Sequence, residues 1–230
     1  MTRERELSMS RKQWLPIAGA IAVCAAGVIG ISTPSAPRVL AQSGGDSRIQ
    51  IGLTAAPVPL NMAGKNVALV GLGRYYVNVV GDCNGCHSAG PPTQYAKGGN
   101  PYFSQPKMVN PATYLGGGRN FGPLIPNSAP IISRNLTPDS SGLPVGGDTF
   151  DQFLTTIRTG VDPDQLHPPC TGAPNANCIP APFDGRLLQV MPWPNLKDLS
   201  DNDLRAIYEY LSTIPCVTGN DPHDAANRCG

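Results

Sequence analysis

Charge is scarce in this 230-residue chain: Asp, Glu, Lys and Arg make up 14% of it, and aromatic residues only 6%. So little charge excludes a coiled coil or a long helical bundle laced with ion pairs. Basic clusters are missing beyond the first segment. Residues 1–41 hold five of the 17 Lys/Arg and two of the 16 Asp/Glu, which leaves the remainder near −2. With no basic stretch to track a phosphate backbone, nucleic acid is excluded as a partner. Glycine (26) and proline (25) are abundant instead, well above ordinary usage. The hydrophobic share of 40% speaks against wholesale disorder. A single loop-rich domain with extensions is expected.

The first 41 residues carry a charged start, Arg3 to Lys12, then an apolar stretch from Trp14 to Ile31. Pro34 and Pro37 break any helix, and Val39-Leu40-Ala41 offers small residues for cleavage before Gln42. This is the pattern of an export signal; left uncleaved, the stretch is near the lower limit for a membrane anchor. Either way the body of the protein is expected outside the cytoplasm, in the periplasm or tethered to the inner membrane. Residues 42–64 are expected to be an extended linker, 65–215 the domain, and 216–230 a tail.

Seven cysteines occur. Cys24 falls inside the signal. Cys170, Cys178, Cys216 and Cys229 form an even set, and two disulfides are expected in an exported chain. Three connectivities exist. Short loop closure favours Cys170–Cys178 and Cys216–Cys229.

The last two cysteines sit in Cys83-Asn84-Gly85-Cys86-His87. Cys-x-x-Cys-His is the attachment signature of c-type haem: both thiols lie along one face of a helical turn, where each can add to a porphyrin vinyl group. His87 then lies under the iron as a ligand. Two rivals are a thioredoxin-like dithiol and half of a zinc site, for which no second Cys-x-x-Cys or His pair follows.

A second feature lies downstream. Met191-Pro192-Trp193 precedes Ser200, an N-cap with Asp203 at the third helical position. Leu204, Ile207, Tyr208 and Leu211 then repeat at helical spacing, and Pro215 ends the run. A methionine on that loop is well placed as the sixth iron ligand. Met62, Met108, His167 and His223 are the competitors, His167 foremost. Tyr75, Tyr76, Tyr208 and Tyr210 read as helix packing.

On these residues the chain resembles the class I cytochrome c family. Asn135-Leu136-Thr137-Pro138-Asp139 and the stretch from Thr149-Phe150 to Gly160 resemble one subgroup, the cytochrome subunits of bacterial periplasmic and membrane-bound dehydrogenases for alcohols, sugars and aldehydes. The resemblance covers roughly residues 65–215. It implies a mostly α, class I cytochrome c fold, here with long Gly/Pro-rich loop insertions at 90–130 and 160–190. An N-terminal helix from Val67 to Val80 would cross the C-terminal helix, with Gly71 or Gly73 meeting Tyr208 or Leu211, and Phe150 to Ile157 would form a middle helix ended by Gly160. The chain departs from the subgroup in having one Cys-x-x-Cys-His where many members carry three.

The expected cofactor is one covalent haem c, held by Cys83 and Cys86, with iron ligated by His87 and Met191. Trp193 would wall the haem, its N–H reaching a propionate; Arg134, Asn135 and Arg119 are further propionate candidates. The expected function is one-electron transfer without catalysis, between redox donor and acceptor proteins that include a periplasmic dehydrogenase. The alternative is a five-coordinate haem peroxidase or ligand sensor.

Overall fold

The computed structural model describes residues 46–54 and 57–230. The expected signal, with Cys24, lies outside the described residues, as does the start of the linker.

Within the expected linker the chain is helical. Helix α1, Ser47–Thr54, follows Asp46, whose carboxylate accepts from the Arg48 N–H at 3.0 Å and from the Arg48 guanidinium. Its glycine explains why it docks: a Cβ on Gly52 would collide with the Gly71 carbonyl of the next helix. An extended linker is therefore the wrong description of residues 47–54. A short polar-capped turn with one glycine has too little hydrophobic periodicity to announce itself.

Helix α2, Val67–Tyr75, is capped by Asn66, whose side-chain oxygen accepts from the Ala68 and Leu69 N–H groups at 3.0 and 3.2 Å. It continues as a wider π-helical turn, Tyr76–Val80. The expected helix is present, but Val67 and Val80 are exposed while Val70 and Val77 are buried.

Asp82, in the left-handed region at φ 40°, turns the chain into the single turn α3, Cys83–Cys86. A second short turn, α4, Pro91–Gln94, comes next. The long segment beyond it contains a two-stranded antiparallel ribbon, β1 (Asn120–Pro123) with β2 (Pro130–Ile132), pairing Asn120 with Ile132 and Pro123 with Pro130 across a one-residue shift of register.

Helix α5, Phe150–Thr159, opens with a reciprocal cap between Thr149 and Gln152 and closes at Gly160, φ 75°. After the short α6, Trp193–Leu196, helix α7 runs Asp201–Leu211 behind Ser200, whose hydroxyl accepts from the Asp203 N–H at 3.2 Å.

The core forms where α2, α5 and α7 meet: Val70 and Val77, Phe153 and Ile157, and Leu204, Tyr208, Tyr210 and Leu211, closed by Tyr114 and Leu115. Helices α2 and α7 cross at Gly73, where a Cβ would fall inside the Ala206 carbonyl and meet Tyr210 Cβ at 2.9 Å. Gly73 is thus the crossing residue, against Ala206 and Tyr210, while Gly71 faces α1. Beside it a buried polar triangle is satisfied internally: the Tyr114 hydroxyl reaches Asn78 Oδ1 at 2.5 Å and the Tyr210 hydroxyl at 2.7 Å.

The disulfides are Cys170–Cys178 and Cys216–Cys229, as favoured on loop length. The second belongs to a tail held by more than sulfur. Asp221 accepts from the Asn135 backbone N–H at 2.9 Å, and the buried Arg228 pairs with Asp224 at 2.6 Å.

The crossing makes a direct prediction. Gly73→Ala should cost about 1–3 kcal/mol or more, because neither backbone can retreat without opening the core. Gly172→Ala, where a Cβ meets nothing within 4 Å, should stay within about 0.5 kcal/mol of the parent. Thermal unfolding of the two variants checks the contrast.

Candidate functional site

The site begins at the end of α2. The chain leaves the π turn, reverses at Asp82 and winds one helical turn, so that the His87 N–H donates to the Cys83 carbonyl at 2.9 Å. That turn sets Cys83 and Cys86 three residues apart on one face. Both thiols are free; Cys83 is half-buried and Cys86 exposed. Burial, with Asp82 nearby, pushes the Cys83 thiol up to about 12, so it is a poor thiolate and a poor dithiol nucleophile.

His87 is buried. Its Nδ1 lies 2.6 Å from the Arg134 carbonyl oxygen. That oxygen only accepts, so Nδ1 carries the proton and Nε2 the free lone pair. Burial lowers the pKa of the imidazole, outweighing the raising effect of the Arg134 hydrogen bond. A neutral imidazole with one nitrogen tethered to a backbone carbonyl is the ligating form found at metal centres.

The turn is held from outside by the segment 114–119. The Leu115 N–H donates to Asn84 Oδ1 at 3.0 Å, the Gly117 N–H to the His87 carbonyl at 3.0 Å, and the Arg119 guanidinium to the Gly85 carbonyl. Gly117, φ +67°, leaves no room for a side chain, since a Cβ there would press on Arg134 and the Asn135 nitrogen. On the Cys86 side an open cleft of about 430 Å³ is lined by Asp82, Cys86, Tyr95, Tyr102 and Arg119.

Met191 packs against the same apolar cluster as Cys83. Its backbone sits between two three-residue turns. The Met191 N–H donates to the Gln189 carbonyl at 2.7 Å, and the Trp193 N–H to the Met191 carbonyl at 2.8 Å. The first turn holds Val190 at φ +68°, an unfavourable conformation for a β-branched residue, and Val190 is exposed, so no packing gain explains it. The strain falls on the residue just before Met191.

Trp193 follows a different plan from the expected one. Its N–H donates to the Leu188 carbonyl at 3.1 Å, and its ring lies on Gly160. The single donor is spent within the chain, so the ring alone remains for a cofactor.

Arg134 and Asn135 are likewise committed. Arg134 binds Asp162 and Asp164 at 2.5 and 2.7 Å; Asn135 donates to the Val217 carbonyl and to Asp224. Among the competing ligands, Met62 packs against the same apolar cluster as Met191. Met108 is exposed, His167 is half-buried in its loop, and His223 is exposed on the tail. Position therefore favours Met62 over His167 as the rival.

The donor set fits a haem c. Two unbridged thiols share one turn, the adjoining imidazole is neutral with Nε2 free, and a thioether lies on the apolar cluster that Cys83 touches. No group of three or more His, Cys, Asp or Glu among the described residues is arranged to hold a bare metal ion, which leaves the zinc reading without further ligands. The residues that motif reading missed are Gly117, Val190 and the carboxylates around Arg134. Their roles rest on backbone conformation and on contacts across more than 25 residues.

Gly117→Ala should destabilise the protein by about 1–3 kcal/mol and shift the His87 Nδ1 nitrogen resonance. Gly122, also at positive φ but with nothing within 4 Å of a Cβ, supplies the control. Gly122→Ala carries the same backbone penalty and should leave the His87 resonance in place.

No family model matches the chain, and no solved structure matches it. Over 163 residues the chain is 29% identical to the gluconate 2-dehydrogenase cytochrome c subunit of Pantoea cypripedii, an alignment covering 69% of this chain and 26% of that protein. The chain thus spans about a quarter of the length of the curated relative it matches.

Proposed function

We propose that this chain is a one-electron carrier with a single covalent haem c, working outside the cytoplasm as the cytochrome partner of a dehydrogenase. Cys83 and Cys86 would hold the group, and His87 and Met191 would ligate its iron. With this goes a class I cytochrome c fold, in which α2 and α7 are the crossing terminal helices and the long loops wrap the haem. The observation that carries the reading is the bond from His87 Nδ1 to the Arg134 carbonyl, which leaves a buried neutral imidazole with its lone pair on Nε2. The likeness to a gluconate dehydrogenase cytochrome subunit supports the dehydrogenase partner.

A haem c held by Cys83, Cys86, His87 and Met191 would supply one reversible electron. The chain's part is to keep that exchange simple. The Arg134 carbonyl holds His87 Nδ1 and would limit reorientation of the imidazole as the electron comes and goes. Met191 offers a soft thioether, which favours the reduced state and raises the potential. The apolar cluster beside Cys83 and Met191 excludes water and disfavours the more charged oxidised state. Exposed Cys86 marks the side on which an edge of the group would approach a partner. No helix among the described residues is long and apolar enough to cross a membrane, so attachment to one would rest on the segment 1–41.

Replacing the sulfur ligand tests the assignment. Met191→Ala should lower the potential and let carbon monoxide bind, whereas Met62→Ala and His167→Ala should change neither. A Met191→Ala protein with parental spectra and potential would sink the assignment, and loss of the ligand in Met62→Ala would move it to that residue.

A further inference from the structure

One peptide bond behind His87 is hydrogen-bonded at both of its polar ends. Its oxygen, the Arg134 carbonyl, lies 2.6 Å from His87 Nδ1. Its nitrogen, the Asn135 N–H, donates to Asp221 Oδ2 at 2.9 Å. Imidazole, peptide and carboxylate thus stand in a single chain of two hydrogen bonds. His87, Asn135 and Asp221 are all buried, so water does not compete for either bond.

The carboxylate is aimed by its own segment of the tail. Asp221 Oδ1 accepts from the His223 N–H at 3.0 Å, a local turn that leaves Oδ2 for the Asn135 peptide. Both oxygens accept N–H bonds, as an ionised carboxylate does. Arg228, a cation of the same tail, pairs with Asp224 instead. The Cys216–Cys229 disulfide closes the loop that carries Asp221. Asn135 grips that loop a second time through its side chain, donating to the Val217 carbonyl at 2.9 Å and to Asp224 at 2.7 Å. Residue 135 is therefore fixed to the tail through its side chain as well as its N–H.

We propose that Asp221 is a positioning residue for the iron ligand: through the Arg134–Asn135 peptide its charge strengthens the hydrogen bond made by His87 Nδ1 and lowers the potential of the haem. The inference rests on the haem reading of the Cys83–His87 turn. Metal-bound histidines donate either to a carboxylate or to a backbone carbonyl; here the two stand in series. An N–H given to a carboxylate makes the stronger, charge-assisted kind of bond, and hydrogen bonds in a chain polarise one another. Donation to Asp221 shifts the peptide's electrons toward its oxygen, which makes the Arg134 carbonyl a better acceptor for the Nδ1 proton. The imidazole then becomes more basic at Nε2, and a more basic ligand favours the oxidised iron. This opposes the pull of the Met191 thioether toward the reduced state.

The test uses the full haem-loaded protein, isotopically labelled for magnetic resonance. In the reduced parent, couplings across hydrogen bonds should link His87 Nδ1 to the Arg134 carbonyl carbon, and the Asn135 nitrogen to Asp221 Cγ. Asp221→Asn should raise the potential and move the His87 Nδ1 proton resonance upfield, with the low-spin spectrum kept. Asp221→Glu should return both part of the way. Asp164→Asn is the control: it takes a carboxylate from the Arg134 guanidinium, leaves the peptide alone and should leave the Nδ1 resonance in place. Where Asp221→Asn does not fold, the two couplings in the parent decide. An Asp221→Asn protein that keeps the parental potential or the parental Nδ1 resonance overturns the role of Asp221 and leaves the haem reading intact. So does an equal resonance shift in Asp164→Asn, or a parent lacking either coupling. A parent with no covalent haem overturns both.

Discussion

The structure depends on one close approach, the crossing of α2 and α7 at Gly73. There the α7 backbone at Ala206 occupies the space a side chain would need. Contact at that distance fixes how the two helices lie across each other, and the segments flanking each helix are carried with it. The C-terminal end of α2 delivers the Cys83–His87 turn, and the segment before α7 delivers Met191. Residues more than 100 positions apart therefore border one apolar cluster. A larger residue at 73 would leave the motifs in the sequence but part the helices that bring them together.

A second point of convergence is Arg134. Its carbonyl holds His87, its guanidinium gathers Asp162 and Asp164, and the next residue, Asn135, reaches Asp221, Asp224 and Val217. Two long loops and the tail thus meet behind one imidazole. The arrangement gives the long loops a physical purpose: they immobilise His87 from outside the core.

Much of this is legible in the sequence wherever the signal is local. The Cys-x-x-Cys-His spacing, Ser200 with Asp203, and Gly160 after a helical repeat each state their conformation within a few residues. The short disulfides obey the same rule. The choice between Gly71 and Gly73 cannot be read, because each glycine serves a different helix, and α1 has no periodicity of its own. Position in sequence alone points the donor of Trp193 and the side chains of Arg134 and Asn135 toward a cofactor. Their partners, Leu188, Asp162, Asp164 and Asp224, lie in loops whose paths no local pattern specifies.

The most direct measurement is the visible spectrum of the protein exported together with a haem c maturation system, oxidised and then reduced. Sharp low-spin bands, with the weak far-red band of methionine-ligated ferric iron, are the result expected of a site built from Cys83, Cys86, His87 and Met191. A high-spin spectrum, or one shifted by carbon monoxide in the parent protein, would contradict that site and replace the electron carrier with an open haem.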